Sequence, residues 1–124
     1  MISPSLPWIF LYRPTAPPEN TGDLLFLVLD GSLDISGARE IETPFLAHVT
    51  SATGPVIVDF SGVTFLASFG MRMLFDAIKS LGRKGRKLIV LNPQPAVAQV
   101  LKLSGVNEVA VISYDEADAR AKAH

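Results

Sequence analysis

The sequence contains no cysteine. Disulfide staples, thiolate zinc sites and thiol catalysis are excluded together, and the fold has to stand on packing alone. Charge is sparse as well: 19% of residues are Asp, Glu, Lys or Arg, below the roughly 25% of an average soluble domain. The 11 Lys and Arg nearly balance the 12 Asp and Glu, leaving a net charge of -1. That supplies no overall field for holding DNA, RNA or an anionic membrane. Long apolar runs are missing too. The longest, residues 24–29, falls far short of the ~20 residues that span a bilayer. Residues 6–12 are apolar, but no basic region precedes them and Arg13-Pro14 follows without a small-residue cleavage pattern, so no secretory signal is expected. These absences predict a cytoplasmic protein.

What is present is apolar. The chain has 124 residues, 48% of them hydrophobic, and a mean hydropathy of +0.34. That length suits one domain burying about two-thirds of its extended-chain surface. High hydropathy with little charge implies strands buried on both faces, or an apolar surface kept for a partner.

The first 18 residues carry Pro4, Pro7, Pro14, Pro17 and Pro18, which disfavours helix there, while residues 8–13 have the aromatic and branched composition of a strand. Residues 14–22 read as a loop, so that strand should pair antiparallel with a second at 24–30, within the chain or across a dimer. Gly31-Ser32-Leu33-Asp34 reads as a turn. Ile41, Phe45 and Val49 then follow helical spacing. Pro44 either kinks that helix or starts a new one with Thr43 as its cap. Residues 56–60 form a central strand, and a second helix starting near Ser68 sets Met71, Leu74, Phe75, Ile78 and Leu81 on one face, with Gly82 as its stop. A basic turn, 83–87, leads to a strand at 88–91. A third helix opens at Asn92-Pro93-Gln94-Pro95 and closes at Gly105. A short strand at 109–112 precedes a terminal helix started by a Ser113/Glu116 capping box. The expected class is α/β: a mixed, mostly parallel sheet of four to five strands, an N-terminal antiparallel hairpin and about four helices.

Standard enzyme chemistry finds no footing. The surroundings of Ser68, Leu66-Ala67-Ser68-Phe69-Gly70, lack the small flanking residues of a nucleophile elbow. The base candidates are His48, which reads as an ordinary helix histidine, and the terminal His124. Neither common phosphate-binding glycine loop occurs, and two distant histidines with scattered carboxylates form no metal-ligand cluster. The turn Arg83-Lys84-Gly85-Arg86-Lys87 lacks interleaved aromatics, so it reads as a solvated helix end in place of a nucleic-acid platform. No catalysis, metal or cofactor is expected.

Ser68 itself has two readings. A serine at a helix start caps orphan N–H groups, for ~1 kcal/mol. It is also a place where a phosphate is tolerated by the helix dipole, so modification there changes a surface and spares the fold. Phe69 and Met71 beside it then offer an apolar contact patch; residues 8–12 offer another.

Together, several strings resemble the STAS domain family of sulfate-transporter domains and anti-sigma factor antagonists. They are Gly31-Ser32-Leu33-Asp34; Val58-Asp59-Phe60-Ser61-Gly62-Val63 running into Phe65-Leu66-Ala67-Ser68-Phe69-Gly70-Met71; Lys87-Leu88-Ile89-Val90; Pro95-Ala96-Val97; and Leu103-Ser104-Gly105-Val106. The resemblance divides the chain into a Pro-rich strand and loop (1–23), a STAS core (24–113) and a C-terminal helix or tail (114–124). It implies a regulatory binding module, with no catalysis of its own, that binds an anti-sigma factor, a serine kinase of the histidine-kinase-like ATPase type. Phosphorylation of the matching Ser68 ends that binding. It places Asp34, Ser68, Phe69, Gly70, Met71 and Arg72 on the contact face. The family's acid before the serine is Ala67 here, so a STAS scaffold that is never phosphorylated, within a stress-signalling or transport-linked assembly, is the alternative.

Overall fold

The computed structural model describes the backbone of residues 11–15 and the whole of residues 24–123. β1 (Leu11–Thr15), β2 (Leu24–Leu33), β3 (Val56–Leu66), β4 (Leu88–Leu91) and β5 (Val111–Ser113) lie side by side in chain order. β1 runs antiparallel to β2, with Tyr12 opposite Leu27; the other pairings are parallel. The expected hairpin and mixed sheet are therefore present. Pro14 and Thr15 belong to the strand and not to the loop that the prolines suggested, since an edge strand tolerates a proline. Residues 8–10, the remainder of the loop and His124 lie outside the described residues.

Parallel strands need crossovers, and three helices supply them: α1 (Ile35–Ser51), α2 (Ser68–Gly82) and α3 (Pro95–Leu103), the last followed by the single turn α4 (Val106–Val109). All contribute to one cluster with the same sheet face, including Ile41, Phe45, Leu74, Leu81, Leu101 and Val106 against Leu27, Val58, Phe60 and Val90. With every crossover on one face, the winding never reverses, and the sheet has no switch-point crevice of the kind that takes a cofactor. The opposite face packs under α5 (Glu116–Ala123) through Leu24, Phe26, Ile57, Ile89 and Leu91. Strands covered on both sides account for much of the hydropathy: Val56, Ile57 and Val58 are each 0% exposed.

Several boundaries differ from the sequence reading. α1 runs unbroken through Pro44. Pro44 lies on the exposed side, where water can replace the missing backbone bond, and the fully buried stripe Ile41, Phe45 and Val49 outweighs its cost. The helix starts earlier than Thr43, because the Asp34 carboxylate accepts from the Gly37 N–H at 2.9 Å. α2 ends in a Schellman turn whose left-handed residue is Gly85 (φ +69°) and not Gly82: the Arg86 N–H reaches the Leu81 carbonyl and the Gly85 N–H that of Gly82. Residues 109–110, expected in a strand, close α4 before β5 begins. The cap of α5 is Asp115, which accepts from the Asp118 N–H at 3.0 Å; Ser113 instead donates to the Asp118 carboxylate at 2.7 Å. That bond, with Lys122 beside it, holds Asp118 below the ordinary carboxylate pKa. Its contribution is present above that ordinary range and fades as pH falls through the lowered value.

The basic turn has structural employment. The Lys84 ammonium donates to the carbonyls of Thr50 and Ala52 at the end of α1, and Lys87 donates to the Lys122 carbonyl in α5 at 3.2 Å. Cations at helix C-termini complement the helix dipole.

Candidate functional site

β4 pairs with residues 56–59 only, whereas β2 and β3 continue together to Leu33 opposite Leu66. The pair thus extends past β4 as a two-stranded ribbon. Two register shifts, each with one extra residue on β3, and a left-handed Gly31 (φ +92°) carry it through residues that read as a turn in isolation. The ribbon ends where the Ala67 N–H donates to the Leu33 carbonyl at 3.0 Å. Asp34 follows Leu33 and Ser68 follows Ala67, so the N-termini of α1 and α2 sit side by side.

Two glycines allow this closeness. A Cβ on Gly37 would fall 2.2 Å from the Ser32 carbonyl oxygen; one on Gly70 would fall 3.0 Å from the Leu33 oxygen and 2.8 Å from Leu66 Cδ1. Each helix therefore bears directly on a strand end, and Gly70 belongs to the site as a packing residue more than as a surface one.

Ser68 is exposed and is the first residue of α2. The capping position belongs to Ala67, in extended backbone (φ -98°, ψ 176°) with no side-chain hydrogen bond, so the expected capping role of Ser68 is corrected. The cap backbone has the geometry that suits Asp or Ser. Ala67→Asp is expected to stabilise the protein by about 1 kcal/mol, raising the melting temperature by about 4 °C, checked by thermal unfolding in dilute buffer. The acid that the resemblance implies at this position would thus have a structural task that this chain does without.

Around Ser68, Asp34 and Arg72 are exposed and Phe69 is half-buried. Met71 does not join them: at 8% exposure it packs into the main core. The surface apolar groups nearby are instead Phe65, 53% exposed three residues before Ser68, and Ile35, 60% exposed at the start of α1. Phe65 was legible only once the ribbon was known, because its strand face is uncovered beyond β4. Gln94, at the cap of α3, ties its amide to the Ser61 carbonyl at 2.9 Å, and Asp59 accepts from the Ser61 N–H at 2.9 Å, bracing β3 as it leaves the sheet.

His48 lies 13 residues along α1 from the end near Ser68, roughly 20 Å at the helical rise, too far to act as its base. Among the described residues no group of His, Asp and Glu can hold a metal ion, and no helix is long and apolar enough to cross a membrane.

The family model described as "STAS domain" matches residues 16–119. The anti-sigma F factor antagonist of Lysinibacillus sphaericus is 25% identical over 87 residues, covering 69% of this chain and 74% of the relative. A crystal structure of an anti-sigma factor antagonist from Mycobacterium paratuberculosis superposes with a TM-score of 0.79 at 21% identity, covering 99% of this chain and 98% of that one. The Bacillus cell fate determinant SpoIIAA in its phosphorylated form gives 0.64 at 19% identity, covering 92% of this chain and all of that one. The two structural likenesses carry the fold, and the family match spans most of the sequence: this chain belongs to the STAS domain family.

Proposed function

We propose that this chain is a regulatory binding module of the anti-sigma factor antagonist type, acting in the cytoplasm. It binds an anti-sigma factor that is also a serine kinase, through the surface around Ser68, and phosphorylation of Ser68 by that partner with ATP releases it. The observation that carries this reading is that Ser68 is exposed at the first position of α2, beside the start of α1, with Ile35 exposed at that start and Phe65 exposed near the end of β3.

The physics of the switch follows from that placement. A phosphate brings about two negative charges, and at a helix N-terminus the dipole favours them, so the fold survives modification. The same charges in the middle of an apolar contact must be stripped of water when a partner docks, which costs several-fold to orders of magnitude in affinity. Incubation with an anti-sigma factor kinase from the same organism and ATP, followed by peptide mass spectrometry, is expected to place a single phosphate on Ser68. Ala67 favours the scaffold reading in one respect, since it removes a carboxylate from the face a kinase would read; absence of phosphate from Ser68 in that experiment would establish the scaffold instead.

A further inference from the structure

The buried side of α2 carries Met71, Leu74, Ala77 and Leu81. At about 100° per residue, the opposite side runs through Ser68, Arg72 and Lys79, all exposed. Ser68 and Arg72 stand four positions apart, which sets their Cβ atoms about 5–6 Å from each other. Lys79 is roughly 16 Å along the axis from Ser68, out of its reach.

Arg72 makes no ion pair or hydrogen bond with any of the described residues. Asp76, four positions further along α2, is half-buried and does not pair with it. On α1 the charged groups nearest the start are Asp34, Arg39 and Glu40, and the Asp34 carboxylate is engaged by the Gly37 N–H at 2.9 Å. The ribbon end between the two helix starts, residues 31–33 and 63–67, carries no charge. A cation is thus held one helical turn from the serine, with no described acid neutralising it.

We propose that Arg72 is the counter-ion of phosphorylated Ser68, an inference that rests on Ser68 being the modified residue. An acid four residues before a base is the favourable order on a helix, and the guanidinium fork matches a phosphate with two parallel hydrogen bonds. The modified module then holds its phosphate against its own helix. A docking partner has to pull that pair apart or strip both groups of water, and Arg72 is no longer free to meet the partner.

The test is a 31P NMR titration of the full chain phosphorylated at Ser68, with the phosphoserine introduced during translation so that no kinase is needed. In the parent, Arg72 favours the dianion and lowers the second pKa of the phosphate below its ordinary value of about 6. Arg72→Ala is expected to raise that value by about 0.5, the size of an exposed ion pair, and Arg72→Lys to keep most of the lowering. The dipole of α2 acts on all of these alike, so the difference isolates the side chain. Arg39→Ala, the same loss of charge from α1, is expected to change nothing. Equal values in the parent and Arg72→Ala, or an equal rise in Arg39→Ala, would overturn the pairing and leave the switch standing. Failure of a kinase to modify Ser68 would overturn the switch, and the titration would still decide whether the pair forms.

Discussion

Replacing Gly37 by alanine is expected to lower the melting temperature by about 10 °C. The added methyl would lie 2.2 Å from the Ser32 carbonyl oxygen and 3.5 Å from the Asp34 carboxylate. Neither neighbour can swing aside: Ser32 is backbone, paired with Phe65 in the ribbon, and Asp34 is held by the cap it makes to this same glycine. The first turn of α1 has to retreat from the strand end, straining the cap and the packing behind it. Forced overpacking of this kind costs typically 1–3 kcal/mol, and a weakened cap adds about 1. Alanine's better helix propensity returns up to about 1, leaving roughly 1–3 kcal/mol; the 2.2 Å approach to a backbone atom places the cost in the upper part of that range, at about 4 °C per kcal/mol for a chain of this length. Gly70→Ala should cost less, because its closest contact is the flexible end of Leu66 and its backbone contact is 3.0 Å. Thermal unfolding by circular dichroism checks both; a Gly37→Ala protein melting within 2 °C of the parent, on the order of 0.5 kcal/mol, would mean that α1 does not bear on β2 as described.

Phe45→Ala should have the largest effect on stability of any single change considered. Phe45 is 0% exposed and lies in the cluster that joins α1 to β2, β3 and α2. Deleting a buried phenyl ring costs about 3–5 kcal/mol, the lost transfer energy plus the cavity. Against a total of about 5–15 kcal/mol for a small domain, that is enough to take the melting temperature down by about 15 °C or to abolish cooperative unfolding. Leu103→Ala is the matched comparison, since Leu103 is 81% exposed at the end of α3 and its loss should stay within about 0.5 kcal/mol. Similar losses in urea titrations of the two variants would contradict the assignment of the core.

Why some of this was readable from the chain and some was not follows from which forces act locally. The apolar runs at 56–58 and 88–91 identify strands because only burial on both faces explains them, and both are fully covered. The stripe Ile41, Phe45, Val49 identified α1, but the position of its start depended on Asp34, whose capping bond competes with the turn that Gly31-Ser32 suggests. That competition is decided by pairing with β3, a contact between segments distant in sequence. Met71 and Phe65 are the instructive pair. Helical spacing already placed Met71 among Leu74, Phe75, Ile78 and Leu81, and its use as a surface residue conflicted with that periodicity. Phe65 escaped notice because its exposure depends on β4 ending early, which no local pattern announces. The cap of α5 lies two residues beyond the expected one: Ser113 and Asp115 both suit a cap, and the part-buried Ser113–Asp118 bond leaves the capping to Asp115. Ala67 was visible at once, but the cap was assigned to Ser68 one residue later; the structure puts Ala67 itself in the capping position and leaves the start of α2 with no side-chain cap.

The proposed role makes the face around Ser68 a contact surface that charge disables. Its most direct test is calorimetric titration of the purified anti-sigma factor kinase with the parent chain, Ser68→Ala and Ser68→Asp. Parent and Ser68→Ala should bind within a few-fold of each other, while Ser68→Asp should bind at least ~100-fold more weakly, the effect of burying about 2.7 kcal/mol of uncompensated charge. Equal affinity for Ser68→Ala and Ser68→Asp would contradict it.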